Sequence, residues 1–90
     1  MGCLYQLVFP NGKKYIGIAS RSAAKRFSEH VYASKYPEEF DFAIYRAFRK
    51  YGYENVKLET LVVSDSWEYL QCLEKRAIAT FKTKLPNGYN

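Results

Sequence analysis

Histidine, cysteine and proline are scarce in these ninety residues, at one, two and three copies, and each scarcity excludes something. A single histidine, His30, leaves no metal cage built from several imidazoles. Cys3 and Cys72 lie far apart without CxxC spacing, which argues against zinc and against a disulfide framework, so both are expected as free thiols. No apolar run approaches the length that crosses a bilayer, and the N-terminus lacks the apolar segment of a secretion signal. The expected setting is therefore cytoplasmic, with no membrane partner. Phosphate-cradling loops of the pattern GxxxxGKS/T or GxGxxG are missing, and no nucleophile elbow frames a serine. Repeats, linkers and low-complexity stretches are missing too, and a chain this short makes one domain.

What the chain does have is aromatic mass and positive charge. It is 48% hydrophobic and 18% aromatic, enough for a packed core. Lys and Arg outnumber Asp and Glu by 14 to 9, a net charge of +5 that favours a polyanionic partner. The cations gather in two places: Lys13, Lys14, Arg21, Lys25 and Arg26, then Arg46, Arg49 and Lys50.

Residues 3–9 and 13–18 read as strands around Pro10-Asn11-Gly12. Asn-Gly alone marks a two-residue hairpin, but Pro10 ahead of it fits a type I turn followed by a left-handed glycine, a three-residue loop. Loop length decides register, and register decides faces. This loop pairs Phe9 with Lys13, Leu7 with Tyr15 and Tyr5 with Gly17. Tyr5 and Tyr15 then share one face, and Leu4, Val8, Ile16 and Ile18 the other.

Ser22 is the expected N-cap of a first helix ending near Ser34, with Ala24, Phe27 and Val31 as its apolar stripe. Arg26 and His30, four apart, project from one flank of it. A second helix is expected from about Asp41 to Tyr51, stopped by Gly52, with Ile44, Ala47, Phe48 and Tyr51 inward and Arg46, Arg49 and Lys50 outward. Residues 56–63 alternate as a third strand. Asp65 with Glu68 has the form of a capping box for a last helix over about 66–82. The order ββααβα predicts an α+β fold, a small three-stranded antiparallel sheet flanked by three helices.

That last helix holds the main anomaly. Its stripe runs Trp67, Leu70, position 74, Ile78 and Phe81, and position 74 is Glu. A carboxylate there is costly unless paired, hydrogen-bonded or bound to a cation. The plain alternative is a stripe-edge Glu74 paired with a neighbouring Lys or Arg. The remaining inventory suits phosphodiester hydrolysis with one divalent metal, a reaction needing a deprotonated water and positive charge on the phosphorus centre. A tyrosine near cations can have its phenol pKa lowered and draw the proton from water. Arg26 can contact phosphate oxygens in bidentate fashion, and His30 can assist a proton relay or hold a phosphate. Glu74 can anchor a Mg²⁺ that otherwise keeps its waters.

Cys3-Leu4-Tyr5, then nine residues, then Tyr15-Ile16-Gly17 resembles the paired signature of GIY-YIG nucleases. The resemblance runs on through Arg26, His30, the segment RAFRKYG at 46–52, Glu74 and the closing Gly88-Tyr89-Asn90, and so spans the chain. It departs in two places: the first signature reads CLY rather than GIY, and the spacer is slightly short. Glu39 stands near the place of a second histidine found in some phage members.

The resemblance implies the family's fold, a three-stranded antiparallel sheet with helices, and its activity, cleavage of double-stranded DNA with Mg²⁺ or another divalent cation such as Mn²⁺. It implies that one of Tyr5 and Tyr15 is the general base, that Arg26 stabilises the phosphate, that His30 is accessory, that Glu74 binds metal and that Asn90 closes the site. Gly17, opposite Tyr5, is expected to leave room for the phosphate. Lys13, Lys14, Arg21 and Lys25 are the expected phosphate contacts. The GYN ending and RAFRKYG favour the catalytic domain of a phage or intron-encoded homing endonuclease, monomeric and working in a bacterial host cytoplasm. The alternatives are a repair or restriction nuclease of the same superfamily and a catalytically silent DNA-binding module. No recognition helix, zinc finger or minor-groove arm is evident, so a DNA-targeting region is expected C-terminal to these residues.

Overall fold

The computed structural model describes residues 1–39 and 42–90. The chain begins with the hairpin that the turn chemistry demands. Strands β1 (Gly2–Val8) and β2 (Lys14–Ala19) pair antiparallel, with Tyr5 opposite Gly17 and Leu7 opposite Tyr15. Gly12 N–H donates to the Phe9 carbonyl at 2.9 Å, Phe9 N–H to the Lys13 carbonyl at 2.9 Å, and Gly12 has a φ of +85°. A side chain at that φ is strained, so glycine closes the three-residue loop as expected.

The third strand, β3 (Lys57–Ser64), pairs with the other side of β1, which makes the sheet order β2-β1-β3 and leaves β2 at an edge. Its register slips between Leu4 and Tyr5, where Leu4 faces Val62 but Tyr5 faces Thr60. The extra residue, Leu61, is a bulge that turns the strand over. In a regular strand Leu58 and Val62 would share a face; here Leu58 joins the front core and Val62 the back.

Helices α1 (Ala23–Ser34) and α2 (Ala43–Tyr51) cover the front face, burying Tyr5, Leu7 and Phe9 against Ala23, Ala47 and Phe48. Ser22 caps α1, its hydroxyl accepting from Lys25 N–H at 3.2 Å, a contact worth about 1 kcal/mol. Of the expected stripe of α1, Phe27 and Val31 pack on the core as expected, whereas Ala24 is exposed and Ala23, His30, Ala33 and Ser34 are buried beside them. α2 ends at Gly52 and presents Ile44, Ala47 and Phe48 inward as expected; its expected start at Asp41 lies outside the described residues.

Helix α3 (Trp67–Phe81) covers the back face. Leu70 is fully buried against Leu4 and Ile16, with Leu73, Ala77 and Ile78 around it. Trp67 and Phe81 stay 43% and 48% exposed, so the inner face keeps Leu70 and Ile78 of the stripe read from sequence, adds Leu73 and Ala77, and loses the two rings. Glu74 moves from mid-stripe to its half-buried edge. The cap differs too. Ser66, not Asp65, accepts from Tyr69 N–H at 3.2 Å, and position three of the helix is then Tyr69, so no capping box forms. A single turn of 3-10 helix at Tyr53–Asn55 leads from α2 into β3.

Candidate active site at the edge of the sheet

The edge strand β2 has α1 packed in front of it and α3 behind. Tyr5 and Tyr15 stand on the front face with ring centroids 6.4 Å apart, which confirms the register expected from the loop. The two phenols have different surroundings. Tyr5 is 1% exposed, and its hydroxyl lies 2.9 Å from His30 Nε2. Tyr15 is half-buried, with no hydrogen bond to its hydroxyl among the described residues, and it lines a hollow of about 350 Å³ with Arg26, His30, Tyr45, Tyr89 and Asn90.

Gly17 is buried directly beneath the Tyr5 ring. A β-carbon there would lie 2.5 Å from Tyr5 Cζ, closer than real atoms approach. The expectation that Gly17 opens space for phosphate is therefore corrected: the space above the glycine is taken by the Tyr5 ring.

His30 sits on α1 but points inward and is 1% exposed. Besides Tyr5, its Nδ1 lies 3.3 Å from the Tyr45 hydroxyl, completing a Tyr5–His30–Tyr45 chain. Burial, reinforced by the Arg26 charge and opposed by Glu29, lowers the imidazole pKa to about 4. Both ring nitrogens lie beside tyrosine hydroxyls, so of the two roles expected for His30 a place in a proton chain fits its surroundings better than a phosphate contact.

Burial dominates the phenols as well. It pushes the Tyr5 hydroxyl well above the ordinary tyrosine range; Tyr15 adds to the shift and Arg26 opposes it. Tyr15 is raised by burial too, with Arg26 pulling it back and Tyr45 and Glu74 pushing it further. The lowering expected from nearby cations is present as a force but loses to desolvation.

Arg26 projects beside both rings with its side chain 40% exposed. One of its nitrogens donates to Glu29 at 3.1 Å, and Glu29 also accepts from Arg21 at 2.6 Å. Arg21, Arg26 and Glu29 line a polar cleft of about 290 Å³ that Trp67 of α3 closes from behind. Glu29 and Tyr45 are the residues missed in the sequence. Glu29 lies three positions after Arg26, a spacing that marks a helical ion pair, whereas nothing in the sequence singles out Tyr45.

Glu74 has no hydrogen bond or ion pair among the described residues, so the plain alternative of a charge-paired surface glutamate does not hold. Burial raises its pKa, and its charge is felt at Tyr15 across the strand edge. Among the described residues no three His, Cys, Asp or Glu gather to hold a metal. A lone unpaired carboxylate still suits Mg²⁺, which keeps several waters and needs only one or two such ligands.

The last three residues run along the free edge of β2. Tyr89 N–H donates to the Lys14 carbonyl at 3.0 Å, and the Asn90 side chain both accepts from Ile16 N–H at 2.8 Å and donates to the Ile16 carbonyl at 2.7 Å. Asn90 thus closes the hollow, and its amide is spent on backbone. The basic residues disperse. Strand alternation sends Lys13 to the front, over the Tyr89 ring, and Lys14 to the back, over Phe81. Lys25 is exposed on the first turn of α1.

Comparison with known proteins now decides the family, since the model of the GIY-YIG catalytic domain matches residues 1–90. The chain belongs to the GIY-YIG nuclease superfamily. The solved catalytic domain of the homing endonuclease I-TevI is similar at 24% identity with a TM-score of 0.78, covering 100% of this chain and 97% of that one. At that identity the likeness establishes the GIY-YIG fold. No curated protein matches the chain.

Proposed function

We propose that this GIY-YIG domain is the catalytic domain of a divalent-metal-dependent DNA endonuclease of the homing type, acting as a monomer on double-stranded DNA. The fold neighbour, itself the catalytic domain of a homing endonuclease, supports the type. The observation that carries the reading is one hollow at the strand edge that holds a phenol free to bind water, Tyr15, and a half-exposed arginine, Arg26, with the unpaired Glu74 carboxylate near enough for its charge to be felt at Tyr15.

The scissile phosphate enters the hollow beside Arg26, whose guanidinium donates to its non-bridging oxygens and offsets the charge that grows there. Tyr15 orients the attacking water and takes its proton at the phenolate oxygen as the new phosphorus–oxygen bond forms and the bond to the leaving deoxyribose oxygen breaks, that oxygen gaining a proton from solvent. Its elevated pKa makes the phenolate scarce at neutral pH, so the rate climbs as pH rises. Tyr5, packed over Gly17 and tied to His30, fixes the wall against which Tyr15 and Arg26 are held. Glu74 is the residue that would hold Mg²⁺ or Mn²⁺, which when bound supplies Lewis-acid stabilisation of the phosphoryl and leaving oxygens. Sequence-specific targeting resides in a region C-terminal to these ninety residues, because phosphate contacts alone carry no base information.

Incubation of the purified domain with supercoiled plasmid tests this reading. Nicked or linear product is expected with Mg²⁺, more of it at higher pH, and none with EDTA. Intact plasmid after incubation of folded protein with Mg²⁺ or Mn²⁺ would overturn it.

A further inference from the structure

A second groove opens next to the hollow, with Tyr89 as the wall common to both. Its floor is the side of α2 bearing Ala43 and Ala47, small residues one turn apart that leave the helix surface bare. Arg46 and Lys50 of α2 line it with Asn11 and Lys13 of the hairpin loop. The groove measures about 260 Å³, and no carboxylate among the described residues lines it.

Two of these cations, Lys13 and Lys50, are held in place without an ion pair among the described residues. Lys13 Nζ lies 5.7 Å from the Tyr89 ring centroid, and Lys50 Nζ lies 5.3 Å from that of Tyr51. The loop wall is fixed as well: Asn11 Nδ2 donates to the Tyr89 hydroxyl at 2.9 Å, and Asn11 Oδ1 accepts from Lys13 N–H at 3.0 Å. Two ordered, unpaired lysines on facing elements, each over an aromatic ring, match the spaced charges of a nucleic-acid backbone.

We propose that this groove seats the phosphate backbone of duplex DNA beside the phosphate being cut, so that α2 and the hairpin loop set the substrate's position in the hollow. The inference rests on the nuclease reading above and adds to it a binding surface separate from the Tyr15–Arg26 hollow.

The test is binding of a short duplex of arbitrary sequence, in EDTA so that nothing is cut, across a series of salt concentrations. Each phosphate contact adds about 0.9 to the slope of log affinity against log salt. Lys13→Ala/Lys50→Ala is expected to bind roughly tenfold more weakly, with a slope shallower by about 2. The control Lys35→Ala/Lys57→Ala removes the same charge from exposed sites on other elements and is expected to keep the wild-type slope. Lys13→Gln/Lys50→Gln repeats the test with longer stems should the alanine pair fold poorly. Equal slopes in groove and control variants would overturn the groove while leaving the nuclease reading intact. A wild-type domain that neither binds duplex nor cuts plasmid would instead overturn the nuclease reading.

Discussion

His30 shows how far depth can separate from spacing at the scale of one residue. Its distance of four from Arg26 places both on one flank of α1, yet one side chain is sealed in the core and the other meets solvent. The pH dependence of folding follows from that burial. The unfolded chain binds a proton at His30 near pH 6.5, whereas the folded chain resists it down to about 4. The neutral imidazole therefore contributes stability that is fully present above pH 6.5 and is lost as pH falls toward 4, on the order of 3 kcal/mol in all. Urea unfolding at a series of pH values checks this: wild type should weaken steeply over that window, and His30→Gln should weaken less. Parallel pH curves for the two proteins would contradict the assignment. The histidine was legible as a member of the site, but its neutral state was not, because neither Tyr45 nor the depth of burial is visible in helical spacing.

Among the elements, β2 carries the site and is also the strand most in need of cover. An edge strand exposes unpaired amides and carbonyls, and here the chain's own ending covers them. Asn90→Ala would strip both side-chain bonds from Ile16, costing about 1–3 kcal/mol and opening the rim of the hollow. Chemical denaturation gives the first quantity, and faster amide exchange at Ile16 the second; unchanged protection of that amide would show that Asn90 does not hold the edge. The hairpin that positions Tyr5 and Tyr15 was readable because Pro10, Asn11 and Gly12 each impose a local backbone preference. The bulge at Leu61 was not, because Leu and Val on both sides of it suit either face. The rotation of α3 away from Trp67 and Phe81 was equally hidden, since ring size says nothing about which side of a helix meets the sheet.

Over the whole molecule, charge and function separate by face. The basic residues divide between the hollow, the α2 groove and the back of the hairpin, while the carboxylate expected to serve the metal stands without a partner beyond the edge of the sheet. No helix among the described residues is long and apolar enough to cross a membrane. Glu74 and Arg26 test the account most directly, because its two halves predict different patterns for them. Glu74 is raised by burial and unpaired, so at neutral pH its charge opposes folding. Glu74→Ala should hold or raise the melting temperature, leave DNA affinity without metal nearly unchanged, and abolish Mg²⁺-dependent cleavage. Arg26→Ala should abolish cleavage and also weaken DNA binding, because it removes the charge that meets the phosphate. Melting temperature, duplex affinity and plasmid cleavage measured together on both variants are the deciding experiment. The split pattern supports the site as described, and a folded, fully active Glu74→Ala protein would contradict it.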